Sequence, residues 1–230
     1  MKDEFLNAIN SDLGKCANAS GTEIALTVAA AQHDLKHLST YMKDIHEETE
    51  LLLAPATTMI RYEPFGVVAI FSAWNYPIMT ALKPLVQCIT TGNCAIVKPS
   101  EIAAATSSVI KKFIDRYLDP DCIRCIEGGI DVAVKLNEQK LDLICFTGST
   151  YVGKIIAGVA AKNLTPCILE LGGKCPTIIH PSCDLEFVAD IISWGRFSNS
   201  GQTCIAPDYL FVHESILERF NQILIETVKR

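Results

Sequence analysis

The 230-residue chain is 49% hydrophobic, enough apolar material for one large domain, or one domain and part of another, around an ample core. Its net charge of −6, without a block of basic residues, excludes an electrostatic surface for nucleic acid or for an anionic membrane. Ten cysteines are scattered, several inside apolar runs, which is the pattern of a reducing compartment and not of a secreted disulfide scaffold. The segment Met1-Lys2-Asp3-Glu4-Phe5 is acidic where a secretory signal would be basic, and no apolar run reaches ~18 residues, so the expectation is a cytoplasmic chain with no membrane span.

Between residues 22 and 45, Ile24, Val28, Ala31, Leu35, Leu38, Met42 and Ile45 recur at steps of four and three, which predicts a long helix with this stripe packed inward. His33 and His37 stand one turn apart on it, but no third ligand is near and no metal is expected. From Leu51 to Arg61 the chain reads as polar and irregular around Pro55. An alternation then begins. Short apolar strands are predicted at Val67–Phe71, Cys94–Val97, Cys122–Ile126, Leu141–Phe146 and Pro166–Leu171, with helices at Ile78–Thr91, Ile102–Leu118, Ile130–Asn137 and Tyr151–Lys162. Strands apolar throughout and separated by helices imply a Rossmann-like parallel sheet covered on both faces, in an α/β fold. After Gly173 a strand (Thr177–Ile179), a helix (Leu185–Phe197), a loop holding Cys204, a strand (Tyr209–His213) and a last helix begin a second α/β lobe. The domains are accordingly placed at 1–171 and 172–230, the second incomplete.

Ligands of parallel sheets bind at the carboxyl ends of the strands. Those ends carry Ala73-Trp74-Asn75, Lys98-Pro99-Ser100-Glu101, Glu127-Gly128-Gly129, Thr147-Gly148-Ser149 and Glu170-Leu171-Gly172-Gly173, which should converge on one crevice. Phe146 to Lys154 follows a strand and opens a helix, so its backbone amides can meet a pyrophosphate. It also spells GxxxxGK, but Ile155 stands where a P-loop needs a hydroxyl for Mg²⁺, and GxGxxG is absent. A plain tight turn is the bland alternative. Ser100 can cap the next helix and Glu101 sit in its first turn, so the stretch reads either as capping plus a surface lysine, Lys98, or as Lys98 and Glu101 contacting the sugar hydroxyls of a cofactor.

Glu170 interrupts an apolar strand, where desolvation would push its carboxyl upward toward the range of a general base. Cys204 lies in a polar, small-residue loop, the partly exposed setting of a reactive thiol. Cys122 and Cys125 form a CxxC without a partner pair, so neither redox nor zinc chemistry is expected of them. Asn75 is either an oxyanion donor or a turn residue before Pro77.

Together these stretches resemble the aldehyde dehydrogenase superfamily, most closely its class 3, or fatty aldehyde dehydrogenase-like, branch. The resemblance rests on Glu63 to Val68, Trp74-Asn75-Tyr76-Pro77, Gly92-Asn93 leading to Lys98-Pro99-Ser100-Glu101, Phe146 to Thr150 with Val152-Gly153, Leu164-Thr165-Pro166, Leu169 to Lys174, and Asn199 to Cys204 with Ala206 to Tyr209. It implies oxidation of aldehydes to carboxylic acids with NAD or NADP. Cys204 would form the thiohemiacetal, Asn75 with the Cys204 amide would hold the oxyanion, hydride would pass to the nicotinamide, and Glu170 would activate the water that hydrolyses the thioester. Trp74, Lys98, Glu101, Thr147, Gly148, Ser149, Thr150, Val152, Gly153 and Leu171 resemble the cofactor contacts. Compared with the family, the chain reads as truncated at both ends; a full-length form would be a homodimer. The alternative is an inactive fragment that retains dinucleotide or partner binding.

Overall fold

Helix α1 (Lys2–Leu13) is absent from the expected elements, yet its apolar face Phe5, Ala8 and Ile9 is buried in the main core. The computed structural model describes residues 1–230 and divides them into two units, Met1–Glu170 and Leu171–Arg230. In the first unit α2 (Ala17–Tyr41) follows α1, then a small antiparallel pair, β1 (Ile45–Glu47) and β2 (Thr58–Ile60), of which β2 lies in the stretch expected to be irregular.

Of the expected apolar stripe of α2, Ile24 packs against the core but much of the rest does not. Leu35 and Met42 are each 75% exposed, and Ile45 lies beyond the helix in β1. The buried face is polar: Ser20, Glu23 and Thr27. The reason is what that face meets. Glu23 lies against the amino terminus of a crossover helix, where unpaired amides reward a carboxylate more than an aliphatic side chain would be rewarded.

The alternation then runs β3 (Val67–Phe71), α3 (Pro77–Thr90), β4 (Cys94–Lys98), α4 (Ala104–Tyr117), β5 (Ile123–Cys125), α5 (Ile130–Asn137), β6 (Leu143–Gly148), α6 (Thr150–Ala160) and β7 (Cys167–Leu171). The sheet order is β5-β4-β3-β6-β7, a five-stranded parallel sheet as expected. Val68, Ile70, Val97, Ile110 and Ile114 are at most 1% exposed at its centre, so the apolar strands are covered by helices. Phe71 pairs with Lys98 on one side and Phe146 on the other, which sets the carboxyl ends of β3, β4 and β6 level.

Two crossover helices receive their caps from the amino-terminal helices. Neither α3 nor α4 has a side-chain cap of its own. Glu23 Oε1 accepts from the amides of Ile78 (2.7 Å) and Met79 (2.9 Å). The Asp12 carboxylate accepts from Ala105 N (3.1 Å), Thr106 N (2.7 Å) and Thr106 Oγ1 (2.7 Å). Each carboxylate satisfies amides that would otherwise be buried without partners.

The second unit has β8 (Cys175–Ile179), α7 (Leu185–Phe197), β9 (Pro207–Val212) and α8 (Leu217–Lys229). β8 and β9 pair in parallel, Ile179 opposite Val212, and Asp184 caps α7 through Glu186 N and Phe187 N. Its core is small: Ile179, Leu185, Ala189, Ile192 and Phe220. No helix is long and apolar enough to cross a membrane.

Candidate functional site

Asn75 sits in the turn between β3 and α3, and that turn is tied down from three directions. Thr80 Oγ1 accepts from Ala73 N (3.1 Å) and reaches the Tyr76 carbonyl (2.9 Å). Lys15 Nζ donates to the Asn75 carbonyl (2.7 Å), lies 4.2 Å from the centre of the Tyr76 ring, and pairs with Glu23 at 3.2 Å. Both charges are buried, with side chains 6% and 1% exposed. Burial pulls the Lys15 ammonium below its ordinary value and the Glu23 charge opposes that. Lys15, Glu23 and Thr80 were not singled out from the sequence; the signal α2 carried was the spacing of Ser20, Glu23 and Thr27, which puts three polar residues on one helix face.

At the level end of β4, Lys98 is 5% exposed, not a surface lysine, and its Nζ lies 2.6 Å from Glu101 Oε2. Partial burial works to raise the Glu101 carboxyl, and the Lys98 hydrogen bond, a backbone hydrogen bond and the Lys98 charge together carry it below its ordinary value. Ser100 Oγ accepts from Ile102 N (3.4 Å) in the short turn Glu101–Ala103 that precedes α4, so Ser100 caps that turn and Asp12, not Ser100, caps the long helix.

At the end of β6 the chain enters α6 through Thr147, Gly148, Ser149 and Thr150. Ser149 caps the helix by accepting from Val152 N (3.2 Å), and Gly153, whose amide donates to the Ser149 carbonyl (2.9 Å), is buried. A side chain at Gly148 would bring its Cβ to 2.5 Å from the Phe146 ring, so the close turn requires glycine. The structure thus gathers Asn75 and Trp74, Lys98 and Glu101, and residues 147 to 153 along one edge of the sheet in the first unit.

Glu170 is exposed, contrary to the expected burial. β7 is an edge strand whose residues alternate between half-buried and exposed, and Ile168, on the same face as Glu170, is 54% exposed. No element of the first unit covers that face, so an interrupted apolar run did not imply a desolvated carboxylate. Leu171, the next residue, is half-buried.

In the second unit Cys204 follows a tight left-handed turn. Asn199 (φ 54), Ser200 (φ 57) and Gly201 (φ 74) are consecutive in this region, where a residue such as Ser200 costs on the order of 1–3 kcal/mol. Reciprocal side-chain bonds hold it, Asn199 Nδ2 to the Gln202 carbonyl (3.2 Å) and Gln202 Nε2 to the Asn199 carbonyl (3.0 Å). The Cys204 carbonyl accepts from Cys175 Sγ (3.3 Å), and a Cβ on Gly173 would lie 2.7 Å from that oxygen, so Gly173 packs against the Cys204 backbone. Cys204 and Cys16 are the exposed cysteines. By contrast burial pushes the Cys88 and Cys125 thiols up to about 12 and raises Cys145 and Cys167, which keeps them protonated and inert.

The family model "Aldehyde dehydrogenase family" matches residues 1–230. The chain belongs to the aldehyde dehydrogenase family. It is 42% identical over 230 residues to mouse aldehyde dehydrogenase family 3 member B1, covering 100% of this chain and 49% of that protein. A solved structure described as the substrate-bound state of Staphylococcus aureus AldH superposes with a TM-score of 0.95 at 38% identity, covering 99% of this chain and 50% of that one. The NADP-dependent glyceraldehyde-3-phosphate dehydrogenase of Bacillus halodurans, complexed with NADP, superposes at 0.89 with 26% identity. This aldehyde dehydrogenase chain spans about half the length of the curated relatives it matches. Within that half, the resemblance drawn from separate motifs holds across the whole chain.

Proposed function

We propose that this chain oxidises aldehydes to carboxylic acids with NAD or NADP as acceptor, through Cys204 and Glu170. The observation that carries the reading is the level carboxyl edge of β3, β4 and β6, from which Asn75, Lys98 and the α6 turn all emerge. The residues there fit a dinucleotide: the first-turn amides of α6 that Ser149 does not cap suit a pyrophosphate, and Lys98 and Glu101 suit ribose hydroxyls. When bound, the nicotinamide supplies the hydride acceptor.

Residues 1–171 are thus the dinucleotide-binding domain and residues 172–230 the first part of the catalytic domain. The Cys204 thiolate adds to the aldehyde carbonyl, and the amide groups of Asn75 and of the Cys204 backbone steady the oxyanion. Glu170 takes a proton from the water that hydrolyses the acyl group left on Cys204. Trp74, Thr147, Ser149, Thr150, Val152, Gly153 and Leu171 complete the cofactor surface. The ten cysteines, all free, accord with a cytoplasmic location.

The test is turnover of a medium-chain aldehyde by Cys204→Ala and Glu170→Gln. Cys204→Ala should abolish NAD(P)H formation, whereas Glu170→Gln should still acylate Cys204 and then stall. Unchanged turnover in Cys204→Ala overturns the reading. A second reading, a chain that binds dinucleotide without turning over, is favoured by the exposure of Glu170; cofactor binding in a wild-type chain that never acylates would establish it.

A further inference from the structure

The aldehyde-oxidising reading leaves Cys94 and Cys122 without a task. Cys94 opens β4 and Cys122 immediately precedes β5, and the pairing of Ala95 with Ile123 puts these two cysteines opposite each other at the amino ends of neighbouring parallel strands. The Ala95 amide donates to the Cys122 carbonyl (3.0 Å), so the backbone fixes that pairing independently of the side chains. Strands lie ~4.8 Å apart, inside the ~4.4–6.8 Å window of Cα separations that a disulfide spans. The two Sγ atoms are already 2.7 Å apart. Of the two CxxC cysteines, Cys122 faces Cys94, while Cys125 is buried at the other end of β5.

We propose that Cys94 and Cys122 form a reversible disulfide when the protein meets a peroxide-class oxidant. One thiol attacks the peroxide O–O bond, becomes a sulfenic acid and releases water. The other sulfur displaces the sulfenic hydroxyl, which leaves as a second water, and the S–S bond closes. Two thiols lose two protons and two electrons, and one hydrogen peroxide is reduced to two waters. A thiol reductant reverses the step. Both sulfurs are half-buried, within reach of a small oxidant. The hydrogen bond to Cys94, and then burial, push the Cys122 thiol up to about 11, so Cys122 suits the role of the resolving sulfur, slow to react alone.

The disulfide would staple the edge strand β5 to β4 and close the segment containing α4. It lies at the opposite end of β4 from Lys98, so it would secure the sheet without rearranging the Lys98–Glu101 pair. It is independent of the reaction proposed for Cys204.

The test uses the purified 230-residue protein treated with limiting hydrogen peroxide, quenched with an alkylating agent and mapped by peptide mass spectrometry without reduction. A cross-link joining the Cys94 and Cys122 peptides, lighter by two hydrogens and removed by dithiothreitol, is expected. It should persist in Cys125→Ser, and in Cys122→Ser a dimedone adduct should appear on Cys94 instead. The oxidised wild type should also unfold several degrees higher than the reduced form. Either of two results overturns the proposal: Cys94 and Cys122 both stay alkylatable at a dose that consumes Cys16 and Cys204, or Cys122 is cross-linked to a different cysteine.

Discussion

The two units of this chain differ in how much core they build. In the first, Ile70, Ile110, Ile114 and Ile144 are at most 1% exposed, and two carboxylates from amino-terminal helices cap the helices that cross the sheet. In the second, two strands and two helices bury a handful of residues and leave Ile178 78%, Ile205 77%, Trp194 76% and Phe211 58% exposed. The strand ends of the first unit therefore stand on a well-buried sheet. The Cys204 loop of the second unit depends on its own turn, held by the Asn199–Gln202 bonds. A loop can be locally well formed in a unit whose core is sparse.

That contrast can be broken most forcefully at Glu23. Glu23→Ala strands the buried Lys15 ammonium and two α3 amides, and should cost ~3–5 kcal/mol in urea unfolding. A loss below ~1 kcal/mol would mean that the pair is dispensable. Next come matched isoleucines: Ile70→Ala should cost ~2–5 kcal/mol, and Ile178→Ala less than ~0.5 kcal/mol. Equal losses would erase the distinction between the units. Asp12→Ala removes the cap of α4 and should cost ~1–2 kcal/mol.

The smallest effect is in acid. Because the folded state holds the Glu101 carboxyl below its ordinary 4.5, its pairing with Lys98 contributes stability that is complete above that value and is lost as pH falls through the folded value. Glu101→Gln should flatten only this acid limb, and weakly, since Glu101 is half exposed and screened. A difference between the two proteins at neutral pH that vanished in acid would fit this sign; one that grew in acid would reverse it. The chain's two tryptophans, Trp74 and Trp194, report on the first and second unit separately. With Trp74 replaced by Phe, the Trp194 signal should melt at lower urea than the Trp74 signal does in Trp194→Phe.

Much of this was legible in the sequence where the determinants are local. Leu185–Phe197 and Ile130–Asn137 are helices over the expected ranges, and Val67–Phe71 is a strand over its expected range, because apolar runs, Gly and Pro boundaries and a capping Asp184 lie within a few residues of one another. The Asp12 and Glu23 caps were not legible, since their partners lie 93 and 55 residues away. Most of the inward stripe of α2 failed for the same reason: which face is buried depended on the unpaired amides of α3. Glu170 shows the limit at the site itself, because a charge inside an apolar run is desolvated only when something covers that face of β7. What the sequence did show near Gly148 and Cys204 is local too: a turn that follows a strand and opens a helix, and a polar, small-residue loop that leaves its cysteine exposed.

The most direct measurement is a single turnover of the 230-residue protein with NAD and a medium-chain aldehyde, following NADH while trapping acylated peptides for mass spectrometry. The account predicts a burst of NADH with the acyl group on Cys204. Folded protein that binds NAD but gives neither burst nor acyl group, or that carries the acyl group on another cysteine, would contradict it.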